Sequence, residues 1–269
     1  MERYIYAASK MLVPLYGAPN ERTPVEDEIL CGMQAEVLGV RPGWHYVRTE
    51  YGFEGFVRSG DLVKSASDWR RAPRRQVCAP FADVLRRPGV KGGLLGTLSR
   101  GARPGLAGEE EDGWQPVVLP DGKRGYMQAS RLAEIPDGVS WPEEKLRASV
   151  VTTALSYLGT SYRWGGKTPL GIDCSGLTFM SYWCHGIGIY RNAQIRDGFL
   201  VHPIPLEQAK PGDLLYFPGH VAMLVEGLMY VHATGRAGSD GVVFNSLDEN
   251  SERFRLDLKE KLLTAGTIF

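Results

Sequence analysis

Apolar and polar positions alternate in short runs through the first half of the chain. Trp44-His45-Tyr46-Val47-Arg48 and Phe53-Glu54-Gly55-Phe56-Val57 read as two strands about a Tyr51-Gly52 turn. At an offset of 70 residues, Gly113-Trp114-Gln115-Pro116-Val117 takes the place of Gly43-Trp44-His45-Tyr46-Val47, and a second hairpin turns at Asp121-Gly122. The same offset pairs Leu15 with Leu85, Gly52 with Gly122, Gly55 with Gly125, Phe56 with Tyr126 and Leu62 with Leu132, without a gap. The segment is therefore duplicated. Each copy holds about 60 residues of short strands, too few for a sandwich, which predicts a small barrel. Gly55 and Gly125, inside the second strand of each hairpin, predict a bulge or tight bend.

The pattern changes after Pro136-Asp137-Gly138. Ser140 offers a helix N-cap, Pro142 suits a first turn and Glu143 follows at capping-box spacing. Leu146, Val150, Ala154, Tyr157 and Leu158 then recur on one helical face, and Gly159 is a natural stop. This predicts a helix of about 18 residues. From Ser175 to His185 the apolar residues are dense enough for a buried helix. Leu214–Phe217, Gly219–Val225 and Met229–Ala233 read as successive strands. Residues 66–75 carry charge and Pro73 and read as a linker whose arginines are solvated. Three domains result: residues 1–66 and 76–134, both all-β, and residues 139–269, mixed α+β.

The candidate chemistry lies in Ile172-Asp173-Cys174-Ser175-Gly176-Leu177, where the second apolar helix begins. Asp173 is a good N-cap. Cys174 would then sit in the first turn, where free N–H groups and the helix dipole lower a thiol pKa and favour the nucleophilic thiolate. A thiol nucleophile needs a base, and histidine suits neutral pH. If Val225 lies opposite Met229, then 222 faces 232 and His220 and His232 share a sheet face as diagonal neighbours. That register needs an odd loop, Glu226–Leu228. A two-residue loop without a bulge would put the histidines on opposite faces. One histidine can then serve the thiol and the other orient it. Cys31, Cys78 and Cys184 read as small buried hydrophobes. His45, His185 and His202 have no motif around them. The cysteine and histidine spacing fits no compact zinc pattern, and no cofactor is expected.

Charge removes further classes. Lysine plus arginine and aspartate plus glutamate both total 31, so no nucleic acid or anionic membrane partner is indicated. Lys10 and Pro14 interrupt the first residues, which do not read as a signal peptide. The expected location is cytoplasmic, or extracellular or periplasmic if a leader was removed, and the expected state is a monomer.

Taken together, Tyr162-Arg163-Trp164-Gly165-Gly166, Asp173-Cys174-Ser175-Gly176, Pro211-Gly212-Asp213-Leu214, Gly219-His220-Val221 and His232 resemble the NlpC-type cysteine peptidases of bacterial cell-wall metabolism, over about residues 140–269. The duplicated segments resemble the bacterial SH3-like domains attached to such enzymes. The resemblance implies a papain-like α+β domain behind two SH3-like barrels. It implies Cys174 as nucleophile, His220 as base, His232 as its orienter and Tyr162 near the scissile carbonyl. Asp173 and Ser175 would contact the substrate's amine and backbone, and Trp164 would pack the loop under the site or touch ligand. Gly165-Gly166 would allow close approach of the substrate backbone. The implied substrate is a peptidoglycan stem peptide, cut between γ-D-glutamate and the diamino acid. A free N-terminal L-alanine would be preferred, because a barrel walls off one end of the cleft, and muropeptide recycling would follow. Other readings are a non-catalytic wall-binding protein and an amidase or acyltransferase on the same fold. Tyr190-Arg191-Asn192-Ala193 departs from the family's Pro-Arg-Asp-Ser, and Cys31-Gly32-Met33 replaces a glycine followed by an acid. Both are expected along the substrate path.

Overall fold

A computed structural model describes residues 6–269; the N-terminal reading of residues 1–5 lies outside the described residues. The chain divides into two compact units, Met1–Ile135 and Pro136–Phe269. Among the described residues no helix is long and apolar enough to cross a membrane.

The first unit is rich in sheet, and each copy of the repeat builds its own. In the first, Trp44–Thr49 pairs with Glu54–Arg58, with Val47 opposite Gly55; in the second, Trp114–Val118 pairs with Arg124–Gln128, with Val117 opposite Gly125. The sheets have seven and five strands, and Gln76–Val77 and Leu132–Ala133 pair beside them. The repeat extends to the backbone. Gly43 and Gly113 have φ of 77° and 79°, and Gly52 and Gly122 have φ of 79° and 83°. Each pair sits in a turn that a side chain would strain.

Gly55 and Gly125 mark neither a bulge nor a bend, because both stand in regular ladders. They are needed for close approach. A Cβ on Gly55 would lie 2.0 Å from Leu15 Cδ2, and one on Gly125 would lie 2.7 Å from the Leu85 carbonyl oxygen. Leu15 and Leu85 are themselves a repeat pair.

The stretch between the copies is not a solvated linker. Ser67–Arg71 is a short helix whose Trp69 is fully buried with Ala7 of one sheet and Val118 of the other. Arg74 stacks over the Trp69 ring at 3.9 Å. A single large apolar side chain outweighs the charge around it, since burying it contributes about 2–3 kcal/mol. Cys31, from the first copy, belongs to the apolar cluster of the second with Val77, Val84, Leu98 and Met127. Its carbonyl accepts from the Arg103 N–H at 2.8 Å, and a Cβ on Gly32 would meet the Arg103 oxygen at 2.3 Å. Cys31-Gly32-Met33 is thus buried where the copies join and lines no open path. Cys78 is exposed rather than buried.

In the second unit, helix Glu143–Leu155 has 13 residues, shorter than its apolar face suggests. Ser140 does not cap it; its hydroxyl donates to the Asp137 carbonyl inside a 3₁₀ turn, and Pro142 takes the cap position. The chain leaves the helix at Ser156, and Gly159 follows with φ of 80°. Helix Cys174–Trp183 is buried along its whole length. It packs on strands His220–Glu226 and Met229–Arg236. These belong to a six-stranded antiparallel sheet in the order His202–Ile204, Thr264–Thr267, Leu214–Phe217, His220–Glu226, Met229–Arg236, Ser239–Ser246. Leu215, Phe217, Ala222, Leu224 and Tyr230 pack with Leu247, Leu258 and Ala265 to form one core of this unit.

The hairpin that carries the histidines departs from expectation at its turn. Glu226 pairs with Met229 across a two-residue loop, Gly227-Leu228, and Val225 bulges out. The bulge restores Leu224 opposite Tyr230 and Met223 opposite Val231, the same offset as the expected register. The predicted pairing of the histidine strands holds by a different device.

Candidate active site

Asp173 begins the buried helix in extended backbone, φ −95° and ψ 177°, and its Oδ1 accepts the Gly176 N–H at 2.5 Å. Cys174 is therefore the first helical residue, only 6% exposed. Gly176 is required by the loop above it, because a Cβ there would lie 2.2 Å from the Gly166 carbonyl oxygen. The backbone N–H groups of Val221 and Ser175 favour the Cys174 anion. They do not win. Burial first, then the Asp173 carboxylate, push the thiol up to about 11. The helix N-terminus was expected to lower it; desolvation of the charged form outweighs the dipole here.

Pro218-Gly219 turns the chain between Phe217 and His220, with Gly219 at φ 66°, which places His220 at the head of its strand beside Val221. His220 Nε2 lies 2.7 Å from His232 Nδ1, and His232 Nε2 lies 2.9 Å from Asn245 Oδ1. Burial pushes His220 down to about 4 and His232 down to about 3, with the Arg255 cation adding to both. Burial thus works against a charged form on the thiol and on both imidazoles.

Asp173 and Ser175 are committed inside the protein. Arg191, fully buried, donates from Nη1 to Asp173 Oδ1 at 3.0 Å and to Ser175 Oγ at 2.7 Å. Its Nη2 donates to Asp173 Oδ2 at 3.2 Å and to the carbonyls of Gly165 and Gly166 at 3.1 and 3.3 Å. Gly165 N–H donates to Asp173 Oδ2 at 2.8 Å, and Ser175 Oγ donates to Asp173 Oδ1 at 3.2 Å. Both carboxylate oxygens are engaged, so direct capture of a substrate amine by Asp173, or of substrate backbone by the Ser175 hydroxyl, is not what this geometry favours. Gly165-Gly166 makes its close approach to the chain itself: a Cβ on Gly166 would lie 2.4 Å from the Gly171 carbonyl oxygen. Arg191 is the one residue of Tyr190-Arg191-Asn192-Ala193 that matches the Pro-Arg-Asp-Ser pattern. Its side chain is buried, not on an open path.

Tyr162 bridges to Ile172 beside the cysteine. Its ring lies against Gly235, where a Cβ would sit 3.1 Å from Cδ1. Burial, then the Cys174 and Asp173 charges, raise its hydroxyl pKa. Trp164 does not pack beneath the site; it is 58% exposed. Among the described residues no group of three or more His, Cys, Asp or Glu side chains is placed to hold a metal ion.

A buried cysteine heading a helix, packed on an antiparallel sheet whose strands hold a hydrogen-bonded pair of histidines, is the arrangement of a papain-like cysteine peptidase. Comparison with known proteins agrees. Residues 159–255 match the NlpC/P60 family. The chain is 37% identical over 268 residues to "Dipeptidyl-peptidase 6" of Lysinibacillus sphaericus, covering 96% of this chain and 97% of that one. It is 26% identical over 234 residues to a "Gamma-D-glutamyl-L-lysine dipeptidyl-peptidase" of Bacillus cereus, covering 78% of this chain and 67% of that one. The crystal structure of an NlpC/P60 family protein from Bacillus cereus shares the fold, with a TM-score of 0.78 over 98% of both chains at 22% identity. The chain belongs to the NlpC/P60 family of cysteine peptidases.

Proposed function

We propose that the protein hydrolyses the γ-D-glutamyl–diamino acid bond of peptidoglycan-derived peptides, releasing the dipeptide L-Ala-γ-D-Glu. Cys174 is the nucleophile, His220 the base and His232 its support, with Tyr162 beside the scissile carbonyl. The observation that carries the reading is the hydrogen-bonded His220–His232 pair, which leaves the second His220 nitrogen outside that bond, on the residue beside Val221, whose backbone favours the Cys174 anion. Both relatives are named for release of a dipeptide, which supports a preference for a free amino end, and the second is named for the γ-D-glutamyl-L-lysine bond, which supports the cleavage position. A stem peptide still joined to glycan has no such amine, which favours peptides already released from the sugar, handled in recycling, over intact wall. The two sheets of the first unit are read as SH3-like domains on the same resemblance.

Incubation with L-Ala-γ-D-Glu-L-Lys, its diaminopimelate counterpart and the N-acetylated forms, followed by mass analysis, tests this. Free tripeptides should yield the dipeptide and the free diamino acid, the acetylated ones should resist, and Cys174→Ala should yield nothing while remaining folded. Equal cleavage of acetylated peptide would overturn the amine requirement, and turnover by Cys174→Ala would overturn the mechanism.

A further inference from the structure

We propose that Asn245 is a positioning residue that fixes the proton arrangement of both histidines; the inference rests on the functional reading above. Asn245 stands on Ser239–Ser246, the strand next to the one bearing His232, with Val243 opposite His232 and Asn245 its diagonal neighbour. Asn245 Nδ2 donates to the Arg253 carbonyl at 3.2 Å. That bond settles the orientation of the amide, because only the nitrogen side can donate to a carbonyl. Oδ1 must therefore face His232 Nε2, which lies 2.9 Å away.

The rest follows by counting donors and acceptors. An amide oxygen only accepts, so His232 Nε2 carries its proton. A neutral imidazole has one N–H, so His232 Nδ1 carries a lone pair and accepts. His220 Nε2, at 2.7 Å, must then donate to it. The lone pair of neutral His220 is left at Nδ1. The carbonyl of Arg253 thus decides, three hydrogen bonds away, which nitrogen of His220 can take a proton. During attack the S–H bond of Cys174 breaks and an N–H bond forms at His220 Nδ1. The sulfur electron pair goes to the substrate carbonyl, and the imidazolium keeps its Nε2–H donated to His232. Asparagine rather than aspartate leaves no negative charge beside His232, in keeping with burial that works against charge on both rings.

Three measurements on the intact protein test this. Nitrogen-15 NMR of histidine-labelled protein, which needs no substrate, should show His232 as the Nε2–H tautomer and His220 protonated at Nε2. An Nδ1–H tautomer at His232 would overturn the proposal whatever the substrate proves to be. Asn245→Leu removes the acceptor and should lower kcat at least about tenfold, a fraction of the loss that a wrong tautomer causes in a serine triad, with KM little changed. Asn245→Asp keeps the acceptor and should retain the tautomer. Its added charge stabilises the imidazolium, so the acid limb of the pH profile should move to higher pH. Unchanged kcat in Asn245→Leu would overturn the inference. If no peptide is cleaved, the NMR result still stands or falls alone, which separates failure of this proposal from failure of the assigned substrate.

Discussion

Replacing Arg191 with methionine removes a fully buried cation whose hydrogen bonds reach Asp173, Ser175, Gly165 and Gly166. Breaking one side of a buried ion pair costs about 3–5 kcal/mol, because the other charge is left without compensation. Asp173 keeps the N–H groups of Gly165 and Gly176 and the Ser175 hydroxyl, which points to the lower end, about 3 kcal/mol. The carbonyls of Gly165 and Gly166 lose a donor inside the protein, and an unmet buried acceptor adds about 1 kcal/mol or more. The sum is about 4 kcal/mol. A domain of about 130 residues loses roughly 0.3 kcal/mol per degree near its midpoint, so the transition of the second unit should fall by about 15 °C. Differential scanning calorimetry of the intact chain reads it. Arg191→Lys keeps the charge without the planar fork and should fall about half as far. Asp173→Asn combined with Arg191→Met removes the orphaned charge, so the double variant should recover about 2 kcal/mol relative to the sum of the singles. A fall of less than about 4 °C for Arg191→Met, or strictly additive singles, would refute the assignment of the arginine as the clamp on Asp173.

Two further outcomes follow from the site. With the thiol pushed up to about 11, only about one molecule in ten thousand holds the thiolate at pH 7. Alkylation of Cys174, followed by peptide mass to separate it from the exposed Cys78, should therefore accelerate about tenfold per pH unit from 7 to 10, and a plateau reached by pH 7 would show a preformed ion pair instead. Gly176→Ala drives a Cβ to 2.2 Å from a backbone oxygen that cannot rotate away, so it should destabilise the unit by about 1–3 kcal/mol and shift Cys174 off its position; full peptidase activity at wild-type stability would count against the close approach.

The duplicated hairpins, the N-capped cysteine helix and the histidine pairing were legible in the chain because each rests on local rules. Turn glycines, a capping aspartate and strand periodicity act within a few residues. The histidine register came out correctly although its turn did not: a three-residue loop and a two-residue loop with a bulge give the same pairing upstream. What stayed hidden was long-range. Nothing near Trp69 says that another sheet covers it, and its charged neighbours argue for solvent. Arg191 meets Asp173 only after the chain has passed through the buried helix and returned. Asn245 carries no motif, and its meaning depends on a carbonyl at Arg253. The raised thiol pKa has a related origin: the helix N-terminus is visible in sequence, and the depth at which it is buried is not.

Cys31 also bears on how the first unit came to be one body. A segment that can be cut out and moved is one whose apolar contacts close within its own boundaries. This one leaves a fully buried side chain in its neighbour's core, and Trp69 bridges the same two sheets. The copies, though alike in backbone, are no longer interchangeable beads on a string. Taking either away would uncover apolar surface on the other, so the repeat is an internal symmetry of one compact unit rather than a pair of portable modules.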